Sequence, residues 1–186
     1  MEILFWIVYI TWFGSEIILN RVLRSTATDK QNQDKHSLSL IWITIVIVIT
    51  IGVFIAPRTP TFIYLNPLFQ YAGIALILLG IFLRIAAVLS LGKYFTVDVT
   101  IRQGHQLKKD GMYAYIRHPS YAASLLSFIG FGVVLNNWLS LLLIIIAILI
   151  VFFRRINIEE SVLLHQFGEE YQQYKSKTKR MIPFFY

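Results

Sequence analysis

Long apolar runs occupy most of this 186-residue chain, and each approaches the length of a membrane-spanning helix. A helix needs roughly 20 apolar residues to cross the hydrocarbon core of a bilayer. With 56% hydrophobic residues, a water-soluble domain of this size would lack the polar surface needed to cover such runs. The sequence therefore predicts an all-α integral membrane protein with about five transmembrane helices, at about 3–20, 38–56, 68–91, 119–136 and 138–153.

Basic residues are concentrated in the loops after the first and third runs and in the tail after the fifth. The loop after the second run contains only Arg58, and the turn after the fourth contains no Lys or Arg. Because cytoplasmic loops are enriched in Lys and Arg, this distribution predicts an external N-terminus and a cytoplasmic C-terminus. The membrane would be the plasma membrane in a bacterium and the endoplasmic reticulum in a eukaryote.

Several classes of function are disfavoured by composition and motifs. The formal charge of +7 does not indicate nucleic-acid binding, since the basic residues lie in short loops and base-binding signatures are missing. The absence of cysteine excludes disulfides and thiolate metal sites, and the histidines lack metal-ligand spacing, so we expect no metal. The sequence contains no P-loop, Rossmann fingerprint or serine elbow.

We divide the chain into an N-terminal two-helix membrane segment, 1–66, and a core, 67–186. The core comprises helices 3–5, a polar loop at 92–121 and a tail at 154–186. Asn136 and Asn137 favour a tight turn, so helices 4 and 5 should form an antiparallel hairpin. Apolar residues at helical spacing after Arg155 predict an amphipathic helix that leaves the membrane.

The third loop contains a polar, turn-rich stretch, 104–121, which ends where the fourth apolar run begins. Pro119 suits the first position of a helix, because its missing N–H would be unpaired there in any case. The N–H groups of Ser120 and Tyr121 would then point outward at the positive end of the helix dipole, and form an anion site suited to a carboxylate. Alternatively, this is a proline-started helix with His and Tyr at the membrane interface.

A second polar stretch follows the last apolar run and contains Arg154, Arg155, Glu159 and Glu160. Arg155 and Glu159 lie four residues apart on one helix face, and a simple ion pair would account for them. Burying such charges at the membrane boundary is costly without a purpose, which favours a functional role. A cationic fork could hold an anionic group, and the carboxylate a cation or an amine. We expect the two polar stretches to fold together into one site.

Some polar and small residues lie inside the apolar runs. Glu16 and Arg84 lie near the predicted cytoplasmic ends, where snorkelling or mutual pairing accounts for them, and we interpret both as structural. Gly130 and Gly132 lie inside a spanning helix, which indicates close helix packing.

The two polar stretches together resemble the isoprenylcysteine carboxyl methyltransferase family. The motif is Gly-His-x-Leu-x-x-x-Gly-x-Tyr-x-x-x-Arg-His-Pro-x-Tyr, a helical hairpin, Arg-x-x-x-Glu-Glu-x-x-Leu-x-x-x-Phe-Gly-x-x-Tyr-x-x-Tyr and a late Ile-Pro. The resemblance covers about residues 90–186, and both halves keep their order and spacing. The chain departs from the family at Ala122-Ala123, where the family often has a glycine two residues after the tyrosine.

The resemblance implies an S-adenosylmethionine-dependent methyltransferase of the membrane, whose cofactor product is S-adenosylhomocysteine. The acceptor would be the carboxylate of a lipophilic molecule, such as a C-terminal S-isoprenylcysteine on a prenylated peptide. By motif position, the cofactor would be contacted by His105, Gln106, Leu107, Lys108, Tyr113, His118, Pro119, Ser120, Tyr121 and Glu159. Arg155 would bind the substrate, and Arg155 and Glu159 would be catalytic. Asp98 is a further candidate at the start of the loop.

Other functions remain open from the sequence. The helical layout also resembles phospholipid N-methyltransferases, in which a lipid amine would be the acceptor and Glu159, Glu160 or a His would act as base. The Arg-His-Pro region is similar to that of NADPH-dependent membrane sterol reductases, although those chains are usually much longer. A non-enzymatic membrane scaffold or transporter subunit would bind no cofactor.

Overall fold

The computed structural model describes residues 2–22, 36–95, 104 and 106–182. These ranges contain α1 (Glu2–Val22), α2 (Ser37–Ile55), α3 (Phe69–Leu91), α4 (Pro119–Val134), α5 (Trp138–Phe167) and α6 (Glu169–Lys177). Short 3-10 turns lie at Ala56–Arg58, Gly92–Tyr94 and Gly111–Ala114. The described residues form no strand, only an isolated bridge between Ile116 and Lys179, so the predicted all-α class is confirmed.

Four of these helices, α1, α2, α3 and α5, are long and apolar enough to cross a membrane. The remaining apolar helix, α4, has 16 residues, which corresponds to about 24 Å at a rise of 1.5 Å per residue. Each predicted span therefore coincides with a helix, but α4 is shorter than predicted. The protein is a multi-pass membrane protein.

Helix α5 extends well beyond the span predicted for it. It runs without a break for 30 residues, from Trp138 to Phe167, or about 45 Å. The predicted end at residue 153 is wrong, because the expected amphipathic segment continues the same helix. Gly168 ends it with a φ of +52°, a conformation that glycine adopts without steric cost. Arg155 and Glu159 are consequently held on a rigid helix.

Helices α3 and α4 pack with their backbones close together. A Cβ built on Gly80 would lie 2.7 Å from the carbonyl oxygen of Ala123, and one on Gly130 would lie 2.6 Å from that of Gly73. Gly132 faces α5, where a Cβ would lie 3.1 Å from a backbone atom. The predicted close packing at Gly130 and Gly132 is confirmed, since small residues let membrane helices approach closely.

The turn between α4 and α5 is held by its two asparagines. Asn136 has a φ of +51°, and its Oδ1 accepts hydrogen bonds from the N–H groups of residues 63–64, each at 3.0 Å. Asn137 caps α5 by accepting from the Ser140 N–H at 3.0 Å, and its Nδ2 donates to the Thr59 carbonyl at 3.0 Å. The predicted tight turn is confirmed, and it also anchors the connection between α2 and α3.

One hydrophobic cluster contains buried side chains from α1 to α5. Trp12 of α1 packs edge-on against Phe128 of α4 with ring centroids 4.9 Å apart. The first two helices therefore share a core with the rest of the chain, and the division at residue 66 stays a prediction.

Candidate active site

A partly open cavity lies among α1 to α5. Its polar lining is Glu16, Asn20, Arg84, Ser120, Tyr121, Ser124, Arg155 and Glu159. Its apolar lining is Trp12, Phe13, Leu38, Ile41, Trp42, Ile45, Phe95, Phe128 and Phe152. The polar side chains come from the helix ends on the predicted cytoplasmic side. Trp12, Ile45 and Phe128 lie nearer the middle of their helices. The cavity is thus suited to an amphipathic ligand.

Arg155 and Glu159 line the cavity from α5. The Arg155 side chain is only 1% exposed, and its Nε donates to Glu159 Oε1 at 3.1 Å. Arg155 Nη1 also donates to the Ser37 hydroxyl of α2. The Tyr121 hydroxyl donates to the same Glu159 oxygen. These bonds fix the guanidinium and the carboxylate in orientation without any ligand, as a binding site for a charged group requires.

His118 lies between two glutamates. Its Nδ1 is 3.6 Å from Glu159 Oε2, and its Nε2 is 3.4 Å from Glu160 Oε1. The backbone N–H of His118 donates to the Arg180 carbonyl at 2.9 Å, and this bond fixes the backbone just before α4. Pro119 then occupies the first position of α4, as predicted. The imidazole therefore connects the cavity to a second group of charges behind it.

That second group is centred on Glu160. Its Oε1 accepts from Arg117 Nε at 2.9 Å, and its Oε2 lies 3.1 Å from Arg180 Nη2 and 3.3 Å from Lys175 Nζ. Arg117 Nη1 also donates to the Thr178 carbonyl. We call Arg117, Glu160, Lys175, Thr178 and Arg180 the tail clasp. In the described part of the chain, none of the five lines the cavity.

The tail clasp brings the two polar stretches together, as predicted. The backbone N–H of Arg117 donates to the Lys179 carbonyl at 2.8 Å, and the backbone N–H of Lys179 donates to the Tyr115 carbonyl at 3.0 Å. The segment after α6 thus runs beside the third loop and holds its last residues against α5.

Other residues assigned to the cofactor from the motif lie away from the cavity. The Tyr113 hydroxyl donates to the Ala87 carbonyl at 3.3 Å, and the Tyr113 carbonyl accepts from the Tyr174 hydroxyl at 2.7 Å. Burial raises the pKa of both phenols, so each stays a protonated donor at neutral pH. Lys108 pairs with Asp110 at 2.8 Å. Of the residues assigned to the cofactor from the motif and described in the structure, those that do not line the cavity are Gln106, Leu107, Lys108, Tyr113, His118 and Pro119. His105 and Asp98 lie outside the described residues.

Glu16 and Arg84, interpreted as structural from the sequence, also line the cavity. Arg84 Nε lies 2.5 Å from Glu16 Oε1, Arg84 Nη2 donates to Glu16 Oε2 at 2.8 Å, and Arg84 Nη1 donates to Ser120 Oγ at 2.7 Å. Of the two alternatives left open by the sequence, snorkelling and mutual pairing, the structure has the pairing, and the pair also lines the cavity. The signal was present in the sequence, because an ionisable residue inside an apolar run is itself a pointer to function.

Comparison with known proteins decides the family. Residues 73–165, half of the chain, match the sequence profile of the isoprenylcysteine carboxyl methyltransferase (ICMT) family. The chain belongs to this family. The match contains the third loop, α4 and most of α5, including Arg155 and Glu159, whereas Glu16 and Asn20 of α1 lie outside it.

Individual relatives agree with this membership. The chain is 34% identical over 130 residues to the protein-S-isoprenylcysteine O-methyltransferase of Schizosaccharomyces pombe, covering 68% of this chain and 55% of the relative. It is 34% identical over 114 residues to protein-S-isoprenylcysteine O-methyltransferase B of Arabidopsis thaliana (60% and 58%), and 38% identical over 114 residues to the Xenopus laevis protein-S-isoprenylcysteine O-methyltransferase (60% and 40%). This member of the family thus spans about half the length of the curated relatives it matches.

A solved structure has the same fold. It is that of the eukaryotic intramembrane Ras methyltransferase ICMT, without a monobody, and it superposes with a TM-score of 0.59 at 29% sequence identity. The superposition covers 85% of this chain and 55% of that chain. This coverage includes more of the chain than the family match, so the similarity of fold extends beyond residues 73–165.

Proposed function

We propose that this chain transfers the methyl group of S-adenosylmethionine to the carboxylate of a lipophilic acceptor, such as a C-terminal S-isoprenylcysteine. The observation that supports this most strongly is Arg155, which is buried in the wall of a largely apolar cavity and oriented by Glu159 and Ser37. A guanidinium is well suited to recognise a carboxylate. The aromatic wall formed by Trp12, Phe128 and other residues would receive the isoprenoid.

The residues near Arg155 fit the proposed cofactor. In the first turn of α4, the N–H groups of Ser120 and Tyr121 have no intrahelical partner, and they favour a carboxylate. The Glu159 carboxylate suits an amine or a ribose hydroxyl. We propose the cofactor contacts of the motif, of which Ser120, Tyr121 and Glu159 line the cavity and His118 lies beside Glu159. The other contacts rest on motif position alone: His105, Gln106, Leu107, Lys108, Tyr113 and Pro119.

The chemistry demands little from the protein beyond orientation. The bound cofactor supplies a methyl group activated by its sulfonium. Arg155 holds the acceptor carboxylate in position without protonating it, because a guanidinium keeps its own proton at neutral pH. No general base is required, since a carboxylate is already ionised at pH 7. The apolar wall excludes water from the reacting groups. We assign Arg155 and Glu159 as the catalytic residues.

We further propose that the site faces the cytoplasm, with the N-terminus outside and the C-terminus inside. The polar residues of the cavity lie at the same helix ends as the basic loops, which the charge distribution assigns to the cytoplasm. The polar cofactor would reach the site from the cytoplasm, and the prenylated acceptor from the membrane. We propose no nucleic-acid partner and no metal.

Calorimetric binding of S-adenosylmethionine and S-adenosylhomocysteine to the detergent-purified chain tests this proposal. We expect Glu159→Ala and His118→Ala to weaken cofactor binding. Arg155→Ala should weaken turnover of S-farnesylcysteine acids more than cofactor binding, because it removes the group that holds the acceptor while Glu159 keeps its hydrogen bond from Tyr121. Glu169→Ala, an exposed residue on α6, is the control that should change neither.

Each part of the proposal has an outcome that contradicts it. A folded sample that binds neither ligand excludes methyl transfer, and NADPH is then the next ligand to test. Turnover of phosphatidylethanolamine in place of S-farnesylcysteine acids would favour the phospholipid N-methyltransferase alternative. Unchanged acceptor turnover in Arg155→Ala would show that Arg155 does not hold the acceptor carboxylate.

A further inference from the structure

We propose that α1, α3 and α4 form a second polar subsite in the cavity, which binds an uncharged amide next to the reacting carboxylate of the acceptor. We call Glu16, Asn20, Arg84, Ser120 and Ser124 the amide subsite. This inference rests on the proposed function, because it concerns the acceptor of that reaction. Its α1 residues lie outside the segment that matches the family.

The charges of the amide subsite cancel within it. Glu16 and Arg84 form a two-point ion pair, with Nε–Oε1 and Nη2–Oε2 distances of 2.5 and 2.8 Å. The remaining guanidinium nitrogen, Nη1, donates to Ser120 Oγ. A paired cation of this kind does not select a second anion, and a paired carboxylate does not select a free amine. The subsite therefore favours a neutral group that forms hydrogen bonds.

Two polar atoms of the subsite have neither a hydrogen-bond partner nor an ion-pair partner among the described residues. These are Asn20 Oδ1 and Ser124 Oγ, both buried, with the Ser124 residue only 4% exposed. A buried polar atom without a partner lowers stability, so it calls for a partner that the described residues do not provide, such as a water or a ligand. The carbonyl oxygen of Asn20 only accepts, whereas the Ser124 hydroxyl also donates. A secondary amide offers both an N–H and a C=O, and it complements this pair.

The amide subsite adjoins the carboxylate site. Ser120 Oγ bonds to Arg84, while the next residue, Tyr121, bonds through its hydroxyl to Glu159, the partner of Arg155. Consecutive residues of α4 thus belong to the two polar groups of one cavity. In an N-acylated cysteine the amide nitrogen and the carboxylate are attached to the same carbon. The amide subsite and the carboxylate site are neighbours in the cavity, as the amide and the carboxylate are neighbours in the acceptor.

The experiment compares two acceptors that differ in the amide. One is N-acetyl-S-farnesylcysteine, and the other is 3-(farnesylthio)propionic acid, which keeps the thioether, the prenyl group and the carboxylate. Dissociation constants and steady-state kinetics are measured for the full chain and for Asn20→Leu and Ser124→Ala. Ser127→Ala is the matched control, because Ser127 lies on α4 outside the cavity lining and donates to the Ile77 carbonyl at 3.3 Å.

We expect the unmodified chain to bind the amide acceptor more tightly than the amide-free acid. Asn20→Leu and Ser124→Ala should each weaken binding of the amide acceptor about two- to tenfold, the range for one hydrogen bond. They should leave binding of the amide-free acid and of S-adenosylmethionine unchanged. Neither variant should lower the unfolding midpoint, because each removes a buried polar atom that has no partner.

Two outcomes overturn the inference while methyl transfer stands. One is equal affinity of the unmodified chain for both acceptors, and the other is an equal loss for both acceptors in the variants, with or without a lower unfolding midpoint. If the unmodified chain binds S-adenosylmethionine but neither acceptor, the proposed acceptor class fails and the amide subsite fails with it.

Discussion

Glu160→Ala should destabilise the protein far more than Glu170→Ala, although both residues form short ion pairs. Glu160 lies 2.9 Å from Arg117 Nε, and Glu170 lies 2.6 Å from Lys109 Nζ. The difference is burial, since the Glu160 side chain is 5% exposed and that of Glu170 is 53% exposed. Removing one partner of a buried pair leaves the other charge uncompensated and costs about 3–5 kcal/mol. An exposed pair contributes about 0–1 kcal/mol.

The other cations of the tail clasp change this magnitude little. Lys175 and Arg180 are more exposed than Arg117, so each returns to solvent at small cost when Glu160 is lost. The expected total therefore stays at about 3–5 kcal/mol. Glu160→Gln keeps the size of the side chain, so comparing it with Glu160→Ala separates the loss of charge from the loss of packing.

The free energy of unfolding is measured by chemical denaturation in one detergent, with the unmodified chain and both alanine variants in parallel. Because the tail clasp also fixes the backbone of His118, Glu160→Ala should weaken S-adenosylmethionine binding as well. A stability loss for Glu160→Ala no greater than that for Glu170→Ala would show that the tail clasp does not stabilise the fold.

Two further expectations concern packing and topology. Gly80→Ala should destabilise the protein by about 1–3 kcal/mol, because the new Cβ would lie 2.7 Å from the Ala123 carbonyl oxygen. Gly14→Ala, with open space around it, should be neutral or stabilising by up to about 1 kcal/mol, and unfolding midpoints compare the two. The chain has no cysteine, so Leu65→Cys and Gln172→Cys are clean labelling sites. An impermeant maleimide should label position 65 from outside intact cells and position 172 only after lysis, and the reverse pattern would contradict the topology.

The sequence predicts those features that depend on local chemistry. Asn136 and Asn137 form a tight turn because asparagine tolerates positive φ and caps helices, and both properties can be recognised from the residue type. Gly130 could be assigned to helix packing because a glycine inside a spanning helix allows a neighbouring backbone to approach closely. The contact of His118 with Glu159 agrees with the expectation that the two polar stretches fold together.

The features that the sequence did not predict depend on long-range contacts or on a change of environment along one helix. The single helix α5 was divided at residue 153 because its apolar run ends there, although no Gly or Pro interrupts 138–167. Trp12 and Ile45 line the cavity, but an all-apolar helix has no periodicity to separate its cavity face from its lipid face. The pairing of Glu16 with Arg84 was one of two alternatives that the sequence left open, while the position of this pair beside Ser120 depends on the packing of α3 on α4.

The tail clasp makes the site one of the last parts of the molecule to mature during synthesis. Arg117 and its partner Thr178 are 61 residues apart in the chain. At a ribosomal rate of roughly 5–20 residues per second, that interval lasts roughly 3–12 seconds. During this time α4 and α5 can enter the membrane while Arg117 has no tail to hold it. A chain whose synthesis stops before Thr178 would thus have all its long helices but no contact between Arg117 and the tail, so the proposed methyl transfer would begin only once the tail has been translated.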